Sequence, residues 1–167
     1  KGETALFKVR PDFKPLTEFQ NLLSAFERNA STGSITLFTS GTTGHPKRVT
    51  HSLKKIVRHV KTGNLFSWNV WGFAYNPSHF AGIQVFFQAV FNKNPLINIF
   101  DLPRESVSAV LTRQGVTHLS ATPTYYRNLL PYLRETYPKV RNLTMGGEKF
   151  DPDLQEDLVK KFPKASI

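Results

Sequence analysis

The chain has 167 residues, of which 40% are hydrophobic, so it is long enough to bury the core of one domain. Its 22 Lys and Arg against 12 Asp and Glu give a net charge of +10, which favours contact with nucleic acid, anionic membranes or nucleotide phosphates. The lack of cysteine excludes disulfides, thiolate nucleophiles and cysteine-based metal sites. The longest apolar stretch, FAGIQVFFQAVF, is too short to span a bilayer, so no membrane span is expected.

Strand-like and helix-like segments alternate along the chain. An opening helix is predicted within residues 1–33 from the apolar face formed by Leu16, Phe19, Leu23 and Phe26. The predicted strands are ITLFT (35–39), WGFAY (71–75), PLINIF (95–100), VTHLSA (116–121) and RNLTM (141–145), and another begins near Ala165. The predicted helices are 53–63, 79–91, 103–115, one opened by Thr122 and Pro123 and broken at Pro131, and one opened by Asp151 and Pro152.

This alternation predicts the fold class and the domain organisation. Short connections between strands and helices indicate an α/β fold, with a mostly parallel, doubly wound sheet and helices on both faces. Residues 1–33 would form an N-terminal helix and turn, and residues 34–167 one α/β unit. The chain begins at Lys1 with neither an initiator Met nor a signal peptide, which suggests a piece of a longer protein.

Three polar loops follow predicted strands: TSGTTGHPK (39–47), ATPT (121–124) and GGEK (146–149). Ligands bind at the carboxyl ends of parallel strands, so we expect the three loops to share one rim of the sheet. In the first loop, Gly41 and Gly44 leave the backbone N–H groups uncrowded, and four hydroxyl side chains lie between and beside them. Such a loop can donate many hydrogen bonds to an oxygen-rich ligand.

The first loop does not match two common phosphate-binding motifs. His45 and Pro46 separate Gly44 from Lys47, which excludes the nucleotide-triphosphatase pattern, and the third glycine of the dinucleotide fingerprint is missing. TSGTTGHPK instead resembles, nearly residue for residue, the phosphate-binding signature of the adenylate-forming (AMP-binding) enzymes, which include acyl-CoA synthetases, aryl-CoA ligases and nonribosomal peptide adenylation domains. Arg48 departs from that signature, which has Gly there.

Three later segments extend the resemblance in the family's order: NPSHFAGIQ, GVTHLSATPTYYRNLL and NLTMGGEKFDPDL. The resemblance thus covers residues 34–167 and implies a role for several side chains. The residues implied to bind the ATP phosphates are Thr39, Ser40, Gly41, Thr42, Thr43, Gly44 and Lys47. The residues implied to lie beside the adenine are Gly146, Gly147 and Glu148, and His79 is implied to lie at the edge of the acyl pocket.

The resemblance implies a cytoplasmic, AMP-forming carboxylate–thiol ligase. Such an enzyme uses ATP and Mg²⁺ to convert a carboxylic acid to an acyl-adenylate, which the thiol of CoA or of a carrier protein then captures. The sequence ends at FPKASI, before the family's Tyr-Gly-x-Thr-Glu loop, and contains no such loop. The metal-binding Glu, the ribose-binding Asp and the C-terminal domain with the catalytic Lys would follow residue 167. We therefore assign no catalytic residue and no metal ligand within the chain, and expect residues 1–167 alone to be inactive.

Other interpretations of the same features stay open. The charge is compatible with a basic nucleic-acid-binding module, although the sequence has no RNP, helix-turn-helix or zinc-finger signature. A degenerate AMP-binding fragment without turnover is a further alternative. His79 could be a helix cap or a core residue with satisfied hydrogen bonds, and Glu148 an ordinary acidic residue in the first turn of a helix. Four basic side chains are most simply explained as the solvent-exposed face of a helix: Lys54, Lys55, Arg58 and Lys61.

Overall fold

The computed structural model describes residues 28, 32–39, 47–76, 79–149 and 152–167. The predicted opening helix lies outside these residues. The strands are β1 (Ser34–Thr39), β2 (Lys47–Ser52), β3 (Trp71–Phe73), β4 (Leu96–Asn98), β5 (His118–Ala121) and β6 (Asn142–Met145). The helices are α1 (Leu53–Val57), α2 (Phe80–Phe91), α3 (Arg104–Arg113), α4 (Pro123–Leu129) and α5 (Pro152–Lys161). Among the described residues, no helix combines the length and the apolar character that crossing a bilayer requires.

Four strands form a parallel sheet in the order β4–β3–β5–β6. The chain leaves β3 through α2 to reach β4, and then returns through α3 to place β5 on the other side of β3. Winding outward in both directions from β3 brings the carboxyl ends of β3, β5 and β6 side by side, with Ala121 opposite Met145 at the end of the ladder. The α/β prediction is confirmed.

The helices pack on both faces of this sheet, as predicted. On one face, α2 packs against β3 in a cluster that contains Trp71, Phe73, Tyr75, Val85 and Ala89. On the other face, α3, α4 and α5 share a larger cluster whose most deeply buried members include Val107, Leu111, Leu119, Tyr126, Leu129, Leu143, Leu158 and Phe162. Burial of this apolar surface is the main force that holds the helices on the sheet.

The prediction for residues 35–39 is wrong in one respect. The segment forms a strand, β1, but it does not join the parallel sheet; it pairs in antiparallel fashion with β2, a strand that the sequence analysis missed. Thr36 and Thr50 face each other across this hairpin with their hydroxyl oxygens 2.9 Å apart. The hairpin packs on the side of α2 that faces away from β3, in a cluster of Leu37, Leu53, Ile56, Ile83 and Phe87.

Helix α1 ends earlier than predicted. It begins after Ser52, whose hydroxyl accepts a hydrogen bond from the Lys55 N–H, and its last residue is Val57 rather than a residue near Gly63. Four residues after the helix ends, the Gln88 side chain of α2 accepts from the Lys61 N–H at 2.9 Å and donates to the Lys61 carbonyl at 2.8 Å. These bonds replace the helical ones.

The remaining elements lie where they were predicted, although β3, β4 and β5 are shorter than the predicted segments 71–75, 95–100 and 116–121. Helix α4 ends at Leu129 and continues as a 3-10 turn that contains Pro131, which confirms the predicted break. The expected strand near Ala165 is present as a single parallel bridge between Ser166 and Asn142 at the edge of β6.

Candidate active site

The Gly- and Thr-rich loop connects the two strands of the β1–β2 hairpin. Thr39 and Lys47 form the last residue pair of the ladder, so the antiparallel pairing holds the two ends of the loop next to each other. Lys47 is exposed at this position. Five of the predicted phosphate-binding residues lie outside the described residues: Ser40, Gly41, Thr42, Thr43 and Gly44. Because β1 belongs to the hairpin, the prediction that this loop leaves a strand of the parallel sheet is wrong.

The other two predicted loops meet at the carboxyl edge of the sheet, around the buried side chain of Tyr75. This residue follows β3, and its hydroxyl donates a 2.9 Å hydrogen bond to the carbonyl of Ala121 at the end of β5. Burial raises the pKa of the Tyr75 phenol above its ordinary value, and hydrogen bonds with the Ser120 side chain and the Gly146 backbone lower it in part. One phenol therefore connects the ends of β3, β5 and β6.

Gly146 and Gly147 form the first part of the loop after β6. A Cβ atom on Gly146 would lie 3.5 Å from the Tyr75 hydroxyl, and one on Gly147 would lie 3.8 Å from the Thr122 methyl group. Gly147 also has a φ of 86°, a left-handed conformation that other residues rarely adopt. The two glycines thus leave their backbone uncovered beside the Tyr75 and Thr122 side chains, which suits close approach of a flat ring.

Glu148 follows these glycines and turns its carboxylate toward the start of α4. Its Oε2 accepts two hydrogen bonds from Thr124, from the backbone N–H at 2.9 Å and from the hydroxyl at 2.6 Å. The Thr124 hydroxyl and then the Thr124 N–H are the main causes that lower the pKa of Glu148 below its ordinary value. The ATPT and GGEK loops therefore adjoin as predicted, and a specific contact joins them.

His79 lies at the start of α2, on the connection that follows the carboxyl end of β3. Its backbone caps the helix and its N–H donates to the Asn76 carbonyl at 3.0 Å, while its exposed side chain makes no capping hydrogen bond in the described structure. A Cβ atom on Gly82, in the first turn of α2, would lie only 2.5 Å from the same Asn76 oxygen. The glycine three residues after His79 therefore allows the connection to pack against the helix.

The sequence analysis assigned Tyr75 only to the end of a strand, and it named no individual role for Thr124 within the ATPT loop. A polar side chain at the carboxyl end of a buried parallel strand is the signal that could have drawn attention to Tyr75.

The described residues contain no group of three or more His, Asp or Glu side chains that could hold a metal ion.

Comparison with known proteins identifies the class of protein. The chain belongs to the AMP-binding enzyme family, which it matches over residues 14–167. It is 27% identical over 144 residues to bacitracin synthase 3 of Bacillus licheniformis, covering 78% of this chain and 2% of that protein. It is 26% identical over 147 residues to the D-alanine–D-alanyl carrier protein ligase of Lacticaseibacillus rhamnosus, covering 78% of this chain and 28% of that protein.

A solved structure shows the same fold. The chain resembles o-succinylbenzoate coenzyme A synthetase (MenE) from Bacillus subtilis, in complex with ATP and magnesium ion, with a TM-score of 0.61 and 22% identity over 75% of this chain and 27% of that chain. The chain spans less than a third of each of these three proteins.

Proposed function

We propose that the chain forms the phosphate- and adenine-binding part of an adenylate-forming ligase, which activates a carboxylic acid with ATP and passes the acyl group to a thiol. The observation that carries the proposal is the TSGTTGHPK loop of an AMP-binding family member, carried by a hairpin whose last pair is Thr39 and Lys47. The MenE structure, solved in complex with ATP and magnesium ion, supports nucleotide binding by this fold.

In the proposed reaction, a carboxylate oxygen of the substrate attacks the α-phosphorus of ATP. The bond from this phosphorus to the bridging oxygen breaks, and pyrophosphate leaves with the electron pair. The acyl-adenylate then reacts with a thiol, and AMP leaves as the acyl carbon bonds to sulfur. Adenylation is needed because a free carboxylate has no good leaving group.

The hairpin loop would bind the β- and γ-phosphates. The residues proposed for this role are Thr39, Ser40, Gly41, Thr42, Thr43 and Gly44, through hydroxyl and backbone N–H groups, together with the Lys47 ammonium group. Donors and positive charge at this place stabilise the negative charge that accumulates on the departing pyrophosphate. Magnesium would supply further positive charge on the phosphates, but no ligand for it is proposed among the described residues.

The sheet rim would bind the adenosine side of ATP. Gly146 and Gly147 offer open backbone beside Tyr75 and Thr122, which is compatible with a purine ring lying on them. His79, exposed at the start of α2 on the same edge of the sheet, is proposed to border the acyl group. The acyl substrate stays a carboxylic acid of unspecified side chain.

The acceptor thiol is proposed to belong to CoA or to a carrier protein, because one relative is named as a carrier protein ligase and one as a coenzyme A synthetase. A cytoplasmic location is proposed because ATP and CoA are abundant there.

Replacement of Lys47 tests phosphate binding. We expect Lys47→Ala to weaken ATP binding by about 1.5 to 3 kcal/mol, because one charge-assisted contact is lost. Lys54→Ala is the matched control, since Lys54 is also exposed and lies on α1 just beyond the hairpin. Calorimetry measures both variants. Equal ATP affinity of Lys47→Ala and Lys54→Ala would remove Lys47 from the site.

Pyrophosphate exchange tests the reaction. We expect no carboxylate-dependent ATP–pyrophosphate exchange from residues 1–167 alone, and exchange once the chain is part of the longer protein. Positioning both reactants contributes up to about 7 to 11 kcal/mol to such a reaction, so an incomplete site should be inert. Exchange by the chain alone would show that the catalytic groups lie within it. An inert longer protein would favour a fragment that binds AMP or ATP without turnover.

A further inference from the structure

The contact between Glu148 and Thr124 lies at one end of the Gly146–Gly147 segment. At the other end, Met145 is fixed by its pairing with Ala121 in the β5–β6 ladder. Two glycines without side chains separate these fixed points, and glycine backbone has more conformational freedom than any other. Their conformation therefore depends on what holds each end.

Thr124 makes two hydrogen bonds to the Glu148 carboxylate, and a smaller contribution from a hydrogen bond with the Thr122 side chain also lowers the pKa of Glu148. The Thr124 N–H and hydroxyl reach the same carboxylate oxygen at 2.9 and 2.6 Å. Meanwhile the hydroxyl of Thr122 accepts a hydrogen bond from the Tyr125 N–H at 3.1 Å. Two side chains thus accept hydrogen bonds from backbone N–H groups in the first turn of α4: Thr122, from the loop before the helix, and Glu148, from the loop after β6.

The fixed segment faces the groups that define the rim. Gly146 lies against the Tyr75 hydroxyl, and Gly147 lies against Thr122, which immediately precedes α4. Moving the Glu148 end of the segment would change the distance of the glycine backbone from both side chains.

We propose that Glu148 is a positioning residue that acts through Thr124: it holds the Gly146–Gly147 backbone in the conformation that receives the purine ring, and does not itself contact the nucleotide. This inference rests on the proposed function, since it assigns how the adenine side of that site is held. It also replaces the simpler expectation that Glu148 lies directly against adenine.

A double-mutant cycle tests the proposal. Glu148→Ala and Thr124→Val each remove part of the contact, and Thr124→Ser keeps both donors. If Glu148 acts through Thr124, Glu148→Ala and Thr124→Val should each weaken ATP binding by about tenfold. The double variant should bind ATP no more weakly than Glu148→Ala, and the ATP affinity of Thr124→Ser should stay within about twofold of that of the unchanged chain. If Glu148 contacts the nucleotide directly, Thr124→Val has little effect and the two changes are additive, which would overturn the proposal.

Binding of inorganic tripolyphosphate distinguishes a loss of adenine positioning from a general loss of the folded binding site. Its affinity should change by less than about twofold in Glu148→Ala and Thr124→Val, because it has no base to bind. An equal loss for ATP and tripolyphosphate would contradict a role at the purine ring. The matched control is the pair of Thr112 and Glu135, joined by a 2.8 Å hydrogen bond between α3 and the segment after α4; Thr112→Val and Glu135→Ala should leave ATP affinity unchanged.

Amide hydrogen exchange tests the contact independently of nucleotide binding. The Gly146 amide should exchange faster in Glu148→Ala than in the unchanged chain, because the segment is freed at one end. Unchanged exchange would overturn the positioning role. If the unchanged chain binds neither ATP nor tripolyphosphate, the proposed function fails, while the exchange of Gly146 still decides whether Glu148 holds the loop.

Discussion

Gly82 offers a sharp test of how α2 is packed against the connection from β3. In Gly82→Ala, the new methyl group would lie 2.5 Å from the Asn76 carbonyl oxygen, 3.3 Å from its carbon and 3.2 Å from the Tyr75 Cβ. Two effects oppose each other. Alanine favours helix over glycine by about 1 kcal/mol, whereas overpacking costs typically about 1 to 3 kcal/mol.

The clash should win because its nearest atom belongs to the backbone. A side chain could rotate away, but the Asn76 carbonyl also accepts the His79 N–H at 3.0 Å, so that moving it disturbs the start of α2. A clash with backbone places the overpacking cost in the upper part of its range, at about 2 to 3 kcal/mol. After the helix gain of about 1 kcal/mol, we expect a net loss of about 1 to 2 kcal/mol in the free energy of unfolding, or about 2 to 8 °C in Tm for a chain of this size.

Urea and thermal unfolding of the chain measure this effect. Ser106→Ala, on the exposed face of the first turn of α3, gives the gain in helix propensity without a new contact and serves as the control. A Tm for Gly82→Ala equal to or above that of the unchanged chain would show that the connection moves aside at no cost, and would refute the packing argument.

Two further predictions concern the rim. Tyr75→Phe should lower the free energy of unfolding by about 1 to 2 kcal/mol, because the Ala121 carbonyl loses its hydrogen bond, while Tyr132→Phe at a residue 44% exposed should change it little; urea unfolding compares the two. Since the folded-state pKa of Glu148 is lowered, its contribution to stability is complete above the ordinary glutamate pKa and is lost as the pH falls through the folded value. Glu148→Gln should therefore be less stable than the unchanged chain at about pH 7, and the difference should shrink at about pH 3; a difference independent of pH would show that the charge is not involved.

The parallel sheet could be predicted because its strands and helices carry strong local signals. Helix α2 is an apolar run interrupted only by Gln84 and Gln88, and α4 is preceded by Thr122, a capping residue, and opens with Pro123, the residue most suited to the first helical position. The β1–β2 hairpin was missed because the loop between its strands is long and because β2 has only a weak alternation around Val49 and His51. Its pairing depends on partners across the loop, which local periodicity does not show.

The candidate site likewise has one part that could be predicted from the sequence and one part that could not. The identity of the glycines at 146 and 147 indicates an open backbone, and that much follows from residue type. The role of Glu148 does not, because its partner Thr124 is 24 residues earlier in the chain. Only the register of β5 with β6 brings the two loops close enough for the carboxylate to reach the start of α4.

Helix α2 links the two halves of the proposed site. The loop proposed to bind phosphate belongs to the hairpin, and the proposed adenine side belongs to the parallel sheet. Among the strands that the structure describes, none is shared by these two sheets. The side of α2 with Val85 packs on β3, while the side with Phe87 packs on the hairpin. A nucleotide that reaches from Lys47 to Gly147 must therefore fit a spacing to which the packing of α2 contributes. For this reason, a change inside α2 that leaves both loops intact should weaken binding of ATP, which is proposed to contact both halves, more than binding of tripolyphosphate, which is proposed to contact only the hairpin loop.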